Sequence, residues 1–286
     1  MVAAVQQQRR QRINDEPGFL LHRVAWRETS LVLDVFTRHH GRIALIAKGA
    51  RRPRSELRPV LLAFQPLRLA WIGRGELQTL TSAEWVGGIE APQAQALMCA
   101  FYLNELLIRL LPRDDAHPQL YDAYTQALIE LTELEASEHE DCLRRFEWTL
   151  LRESGYAPDL QVDCEGFAIE AQAQYRWLPE VGFKRVEARF ASESMAWIDD
   201  SKPLQAAAAT DDFDERYTTQ ERSDFIEGDT LRSLAQGVLE HGIHRQQAKR
   251  LTRRILGHYL EGRALYTRKM LFELQSMTRS PVRRDL

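Results

Sequence analysis

The amino-acid sequence contains, at residues 29–47, the stretch TSLVLDVFTRHHGRIALIA, in which two apolar segments flank a short polar turn. A period-two alternation, typical of a β-strand, is formed by Leu31, Leu33 and Val35. Val32 and Phe36 fall between them, so we expect both faces of this strand to be partly buried. The turn at residues 39–42 and the apolar segment after it predict a β-hairpin.

Three further strand-like segments surround this hairpin. A short apolar run precedes it at residues 19–21, and segments at 61–72 and 76–85 follow it, with Pro66 as the sign of a sheet edge or a bulge. Between them, residues 49–59 have no apolar periodicity and predict a loop. Five short strands with glycine-bearing turns predict a small closed or nearly closed β-barrel, of which the OB-fold is one common type.

Beyond residue 90 the sequence becomes helical, with apolar residues three and four positions apart. We predict helices over residues 94–111, 117–136, 140–153, 224–239, 245–260 and 267–275. Residues 159–200 are irregular, with strand-like pieces near Trp177 and Phe183, and residues 201–214 form a loop or a weak helix. The predicted fold class is α+β, with a flexible arm at 1–16, an OB-fold barrel at 17–90 and a mainly α-helical domain at 91–286.

The composition bounds the class of protein. The 286 residues include 44% hydrophobic and 28% charged ones, which is typical of a globular protein. No run approaches the roughly 18–20 apolar residues of a membrane helix, so we expect no membrane partner. Residues 1–14 lack the apolar segment of a secretory signal. Three cysteines, at 99, 142 and 164, indicate no disulfide framework, and we expect a reducing cytoplasm.

Charge is distributed unevenly along the chain. Residues 1–90 have a net charge of +6, residues 91–239 of −16 and residues 240–286 of +7, although the whole chain has only −3. Because surface charges are screened beyond about 8 Å at physiological salt, a local basic patch attracts a polyanion whatever the total charge. The alternative is that these are ordinary charged helical surfaces.

The densest positive cluster lies in the predicted loop after the hairpin. Its five cations are almost undiluted by acids, and they are Lys48, Arg51, Arg52, Arg54 and Arg58. An arginine fork matches a phosphate, and inter-strand loops of OB-like barrels hold single-stranded nucleic acid. Arg38, Arg42 and Arg74, in other turns of the predicted barrel, extend this candidate DNA-binding surface. The alternative is a solvated loop without a ligand.

Aromatic side chains of the barrel segment are candidates for stacking on bases. They are Phe19, Trp26, Phe36, Phe64, Trp71 and Trp85. Most lie within apolar runs, which favours core packing for them. Trp26 lies between Arg23 and Arg27, so it is the one that we most expect to be exposed, and base stacking and core packing both stay open for it.

No motif indicates catalysis. Residues 73–75, Gly-Arg-Gly, lack the Gly-Lys-Ser/Thr continuation and the helix of a phosphate-binding loop. The cysteines have no Cys-x-x-Cys spacing, and no arrangement of His, Ser and Asp indicates a nucleophile. We therefore predict no enzyme activity, no metal site and no cofactor. Cations and apolar residues alternate over 248–272, which indicates a core-facing helix with a solvated face, or in addition a second surface for a polyanion or an acidic peptide.

Several segments resemble, in order and spacing, those of bacterial RecO, the recombination mediator that works with RecR and RecF. They are PGFLLH (17–22), ETSLVLDVFT (28–37), GRIALIAKGARR (41–52), FQPL (64–67), GRGEL (73–77), NELL (104–107), LRRFE (143–147), GY (155–156) and the stretch 248–272. The resemblance covers roughly residues 16–275.

This resemblance implies an N-terminal OB-fold followed by a mainly helical domain. It implies binding of single- and double-stranded DNA, annealing of complementary strands, contact with the acidic tail of single-stranded-DNA-binding protein and, with RecR, help in loading RecA. The basic loop then becomes the DNA site. Cations for the acidic tail are either Arg144 and Arg145 or Lys249, Arg250 and Arg253, and the sequence does not choose between these two sets.

One departure from the RecO pattern concerns zinc. Many RecO proteins carry four cysteines in two pairs after the Gly-Tyr segment, and these form a zinc site. Here Cys164 is the only cysteine of that region. We therefore expect a degenerate, metal-free zinc-ribbon-like insertion at about 159–200, stabilised by local packing of Phe167, Tyr175, Trp177 and Phe183.

The resemblance implies a non-catalytic DNA-repair mediator of the RecF pathway, cytoplasmic and associated with the nucleoid. The basic loop indicates that it captures the DNA backbone with little sequence readout. The alternative is a protein-interaction adaptor whose basic surfaces bind acidic partner segments, with DNA contact incidental.

Overall fold

The computed structural model describes residues 11–186, 225–237, 242–261, 263, 265–267 and 270. Two compact units make up the chain. The first contains the residues up to Gly155 together with those from Tyr259 onward, and the second runs from Tyr156 to His258. Residues 201–214 and most of the helix predicted over 267–275 lie outside the described residues.

Five strands of the first unit close into a barrel. They are β1 (Gln11–Trp26), β2 (Ser30–Thr37), β3 (Gly41–Ala47), β4 (Pro66–Gly73) and β5 (Leu77–Trp85). Their order around the barrel is β1-β2-β3-β5-β4, with β3 and β5 parallel and the other pairs antiparallel. This is an OB-like barrel, so the predicted α+β class and OB-type barrel are confirmed. β2 and β3 form the predicted hairpin, with Leu31 opposite Ala47 and Thr37 opposite Gly41.

Both faces of β2 are buried, as its sequence indicated. Leu33 and Val35 lie in the barrel core. Phe36 lies on the other face, where its ring centroid is 6.1 Å from that of Tyr124. Phe19 of β1 joins this outer aromatic cluster at 5.1 Å from the same tyrosine. Such aromatic contacts add about 0.5–1.5 kcal/mol each to the burial of the rings.

A polar network reinforces this packing where β1 bends. The pairing of β1 with β2 shifts at Leu21, and the carbonyl of that residue accepts a hydrogen bond from the Asn104 amide at 3.0 Å. The Asn104 amide oxygen in turn accepts one from the Tyr124 hydroxyl at 2.5 Å. All three residues are buried. Because a buried polar group without a partner costs about 1–3 kcal/mol, this network holds the helices against the barrel.

Four helices belong to the first unit in the chain up to Gly155. They are α1 (Leu57–Val60), α2 (Ala94–Leu110), α3 (Pro118–Glu133) and α4 (His139–Glu153). The last three match the predicted helices, with Pro112 following the end of α2. The compact unit thus extends past the predicted boundary at residue 90, because α2 and α3 cover the outer face of the barrel with side chains such as Asn104 and Tyr124.

The barrel also differs from the prediction at three places. The predicted flexible arm is wrong for residues 11–16, which begin β1 and pair with β4, although they lack an apolar run. The predicted 49–59 loop ends in the short helix α1, because Leu57 and Val60 pack against the barrel core. β4 begins only at Pro66, a position where the missing N–H of proline costs no ladder hydrogen bond.

In its described residues, the second unit contains a small antiparallel sheet and two helices. Its elements are β6 (Gln174–Leu178), β7 (Gly182–Arg185), β8 (Phe225–Glu227), α5 (Gly228–Gln236) and α6 (Gly242–Tyr259), the last of which ends at the boundary with the first unit. The sheet order is β7-β6-β8. The helix predicted over 224–239 is wrong at its start, because residues 225–227 pair with β6 instead.

No helix in the described ranges is both long enough and apolar enough to cross a bilayer.

Candidate nucleic-acid interface

The basic loop, residues 48–58 between β3 and β4, is anchored to the barrel. Ala50 is buried in the barrel core. The backbone N–H of Arg51 donates to the Thr29 carbonyl at 2.9 Å, and its guanidinium donates to the carbonyls of Arg27 and Glu28, each at 3.3 Å. Arg51 therefore joins the basic loop to the turn between β1 and β2.

The cations of the basic loop are presented to solvent. Lys48, Arg51, Arg52, Arg54 and Arg58 are all exposed. Within the described part of the chain, no carboxylate lies within ion-pair distance of any of them. An exposed cation without an acidic partner leaves its full charge for an external anion, so the structure brings five of the eight predicted DNA contacts together.

The turn between β1 and β2 extends this surface with residues outside the predicted DNA-binding set. Since Trp26 pairs with Ser30 and Leu31 with Ala47, the turn and the basic loop lie at the same end of the barrel. Arg23 and Arg27 are exposed there, and Arg23 also donates to the Leu61 carbonyl at 2.7 Å. Strand pairing is the signal that could have found them. The turn that precedes β2 must lie beside the loop that follows β3, because the start of β2 pairs with the end of β3. We call this turn and the basic loop the basic end.

The predicted contact Arg42 lies at the opposite end of the barrel and is engaged inside the protein. Its side chain is only 12% exposed and faces Asp34 at 3.4 Å. Its guanidinium also donates to the carbonyls of Leu107 and Ile108 in the last turn of α2, where cations are favourable. Burial lowers the pKa of Arg42 and raises that of Asp34, despite the attraction between them. Arg42 therefore stabilises the fold and does not face a DNA backbone.

Arg38, in the turn between β2 and β3, has a partner as well. Its guanidinium binds both carboxylate oxygens of Asp122 on α3, at 3.0 and 2.8 Å. This hydrogen bond is the main reason why the pKa of Asp122 lies below its usual value. Arg113 also lies at this end of the barrel, at 2.9 Å from Asp34. We call the β2–β3 turn, together with the ion pairs of Arg38, Arg42 and Arg113, the paired end.

Arg74 is exposed in the turn between β4 and β5. β5 runs parallel to β3 and begins at the level of Ala44, so this turn lies toward the start of β3, whereas the basic loop follows its end. Arg74 is therefore not part of the basic end.

The barrel aromatics divide into buried and exposed ones. Phe19, Phe36, Phe64 and Trp71 are buried, as expected. Trp85 is 61% exposed, so core packing is wrong for it; its indole N–H donates to Gln65 at 2.8 Å. Trp26 is 44% exposed, so it is not a core residue, and base stacking stays a prediction for it.

The two sets of cations predicted to hold an acidic tail lie in different units. Arg144 is only 5% exposed and pairs with the fully buried Glu147 at 2.6 Å, so it is not a surface cation. Arg145 is exposed and pairs with Glu130 of α3. On α6, Arg250 and Arg253 are exposed and Lys249 is half-buried, while the apolar stripe of the same helix is buried.

A cavity of about 820 Å³ in the first unit combines apolar and charged residues. Ile108, Leu260 and Leu265 line it, together with Arg109, Glu261 and Arg263, and Arg263 pairs with Glu261 at 3.0 Å. Glu105 lies beside it and accepts hydrogen bonds from Thr267, Tyr266 and Arg109. Burial opposes ionisation of this carboxylate, but these bonds outweigh it, so the pKa of Glu105 lies below its usual value.

The insertion does not offer a zinc site in its described part. Cys164 is exposed, and no group of three or more His, Cys, Asp or Glu residues among the described residues is arranged so that it could hold a metal ion. Tyr175, Trp177 and Phe183 are buried as predicted, whereas Phe167 is exposed and does not contribute to the core. The residues present do not fit a tetrahedral zinc centre. Absence of zinc stays a prediction, which elemental analysis of the purified protein tests.

Comparison with known proteins places this barrel and its helices in one family. A family model described as "Recombination protein O N terminal" matches residues 13–89, and one described as "Recombination protein O C terminal" matches residues 92–220. "DNA repair protein RecO" of Aromatoleum aromaticum is 42% identical over 94% of this chain and 99% of that protein. The proteins of that name from Thiobacillus denitrificans and Polynucleobacter necessarius are 41% and 42% identical, each over 93% of this chain and over 94% and 98% of their own lengths. The two family models together match most of the chain, and these relatives match at least 93% of it. The chain therefore belongs to the RecO family and has a role in DNA repair and recombination.

Proposed function

We propose that the chain binds DNA at the basic end, through its sugar-phosphate backbone. The observation that carries this proposal is the set of five exposed cations on an anchored loop, none of which pairs with a carboxylate among the described residues. Each phosphate that they neutralise releases condensed counterions, which favours binding in a salt-dependent way. Backbone contacts carry little sequence information, so both single- and double-stranded DNA are ligands.

Annealing follows from the same chemistry. Two complementary strands repel each other through their phosphates, and a surface that neutralises part of this charge lowers the repulsion while leaving base edges free to pair. We propose that the chain anneals strands in this way and, with RecR, helps RecA replace single-stranded-DNA-binding protein in the RecF pathway. This is a mediator role in the cytoplasm, at the nucleoid, with no catalytic step.

The experiment that tests DNA binding removes three cations whose side chains make no described hydrogen bond or ion pair. We expect the triple substitution Arg52→Ala, Arg54→Ala and Arg58→Ala to weaken binding of a dT oligonucleotide by at least about tenfold. The slope of log affinity against log salt should become shallower by about 3. Fluorescence anisotropy at several salt concentrations measures both quantities.

A matched control removes the same charge elsewhere. Arg152, Lys184 and Arg232 are exposed and lie outside the barrel, so their triple alanine variant should keep affinity and slope nearly unchanged. If both triple variants lost the same DNA affinity, the loss would follow from net charge, and a defined DNA site would be contradicted.

The cavity beside α2 favours a second function, as an adaptor for an acidic peptide. Arg109 and Arg263 each pair with one carboxylate of the chain, and a guanidinium has further N–H donors. Next to apolar side chains, these donors suit a peptide with acidic residues and an apolar end, such as the tail of single-stranded-DNA-binding protein. None of the five predicted tail cations is among its described lining residues. We expect Arg109→Glu to weaken binding of a labelled tail peptide by about tenfold, and Arg232→Glu on α5 to leave it unchanged. If only Arg250→Glu lowered the affinity for the tail peptide, the tail would bind at α6 and not at this cavity.

A further inference from the structure

From His22 onward, β1 pairs with β2 but no longer with β4. Every residue from His22 to Glu28 is exposed, although strand residues normally alternate between a buried and a solvent face. The strand pairs nevertheless continue to the turn, with Val24 opposite Val32 and Trp26 opposite Ser30. The end of β1 is therefore exposed on both of its faces, whereas β2 beside it pairs with β3 and places Leu33 in the barrel core. We call residues 22–28 the ribbon.

An apolar stripe lies on one face of the ribbon. Val24 and Trp26, two positions apart on β1, point to the same side and are 51% and 44% exposed. The residue opposite Trp26 is Ser30, which is too small to cover an indole ring. Leaving a tryptophan half exposed forgoes part of the large apolar burial that this side chain otherwise provides. Trp26 thus contributes less to folding than a buried tryptophan would, and part of its ring is accessible to a ligand.

The basic loop fixes this tryptophan next to positive charge. Arg27 follows it directly, with a positive φ of 51° in the turn. The Arg51 guanidinium donates to the carbonyls of Arg27 and Glu28, and the Arg51 backbone N–H donates to Thr29. Three hydrogen bonds from one residue of the basic loop therefore hold the turn that directly follows Trp26.

We propose that Trp26 stacks on an unpaired base of a DNA strand whose phosphates contact the basic loop, and so makes this site prefer single-stranded over double-stranded DNA. In a duplex each base face is covered by its neighbours, whereas a single strand offers free faces to an aromatic ring. The cations act on phosphates in either form, and the indole acts on only one. This inference rests on the proposed DNA binding and adds the class of DNA that the site selects.

The test compares one variant on two DNA forms. Stacking on an aromatic side chain is worth about 1–3 kcal/mol per base, which corresponds to roughly 5- to 150-fold in affinity. We expect Trp26→Ala to weaken binding of a dT oligonucleotide by a factor in this range, with the salt slope unchanged because no charge is lost. Binding of a duplex of equal length should change less than about twofold. Trp26→Phe should fall between the alanine variant and the native protein.

Trp85 provides the matched control. It is the more exposed indole of the two, and the surface around it includes Glu90 and Gln65 rather than cations. Trp85→Ala should leave both affinities within about twofold of those of the native protein. Circular dichroism and thermal unfolding of both variants check that the fold is retained.

The possible outcomes separate the two proposals. If the native protein binds neither DNA form, or the triple variant of the basic loop binds as well as the native protein, DNA binding at the basic end itself is overturned. Suppose instead that the native protein binds both forms. Base stacking is then overturned, and DNA binding is not, if Trp26→Ala keeps its affinity for single strands, if it loses the same affinity for both forms, or if Trp26→Phe binds single strands no better than Trp26→Ala.

Discussion

At one end of the barrel Arg38 and Arg42 each face a carboxylate, while at the other Arg52, Arg54 and Arg58 face none among the described residues. The side chains are chemically identical, and both groups lie at or near the ends of barrel strands. Their surroundings differ: the paired end lies against α2 and α3, which supply Asp122 and helix carbonyls, and the basic end projects into solvent.

This difference shows that the number of arginines does not define a polyanion site. A guanidinium that is desolvated beside a carboxylate contributes to folding, and removing one partner leaves a buried charge uncompensated. A solvated guanidinium contributes little to folding but retains its attraction for phosphate. Function at the basic end and stability at the paired end should therefore be separable by substitution.

The largest expected effect is on stability, from Arg42→Ala. This change leaves Asp34 with Arg113 alone and removes the donor for the last carbonyls of α2. We expect a loss of about 2–4 kcal/mol in the free energy of unfolding, measured by urea denaturation. DNA affinity of the folded variant should stay within about twofold of the native value. Arg58→Ala is the control, with a change in stability of less than about 0.5 kcal/mol. If Arg42→Ala weakened DNA binding and left the free energy of unfolding unchanged, Arg42 would be a DNA contact and not a stabilising residue.

The converse effect is expected from charge reversal at the basic end. Arg54→Glu should weaken DNA binding by about tenfold at low salt, because it removes one attraction and adds one repulsion to the phosphates. The free energy of unfolding should change by less than about 0.5 kcal/mol, since Arg54 is exposed and makes no described hydrogen bond. Arg152→Glu on α4 is the control for net charge. Native DNA affinity in Arg54→Glu would remove the basic loop from the interface.

Local patterns in the sequence were sufficient for the barrel strands and for the basic loop. Alternation identified β2 and β3, and the absence of periodicity together with five cations identified the loop. The start of β1 was not predictable in this way, because residues 11–16 have no apolar run and are ordered by pairing with β4. Which arginines are paired was also hidden, because Asp122 lies 84 residues from Arg38 in the chain.

A smaller effect is expected from Arg74→Ala. The turn that carries Arg74 lies toward the start of β3, away from the basic loop, so DNA affinity should fall by at most about twofold, with stability unchanged. Arg52→Ala is the matched comparison and should weaken binding more. An effect of Arg74→Ala as large as that of Arg52→Ala would extend the DNA path along the barrel and weaken the division into two ends.

The smallest expected effect is a shift in one pKa at the paired end. The hydrogen bond from Arg38 holds the pKa of Asp122 below its usual value, so the contribution of this pair is complete above the usual pKa of about 3.9 and is lost as the pH falls through the lower folded value. Arg38→Gln should raise the pKa of Asp122 toward its usual value, as followed by carboxyl-carbon NMR between pH 2 and 6. Arg52→Gln should leave it unchanged, because Arg52 is not an ion-pair partner of Asp122. An unshifted Asp122 in Arg38→Gln would mean that Arg38 is free in solution, and the two ends of the barrel would then be alike in this respect.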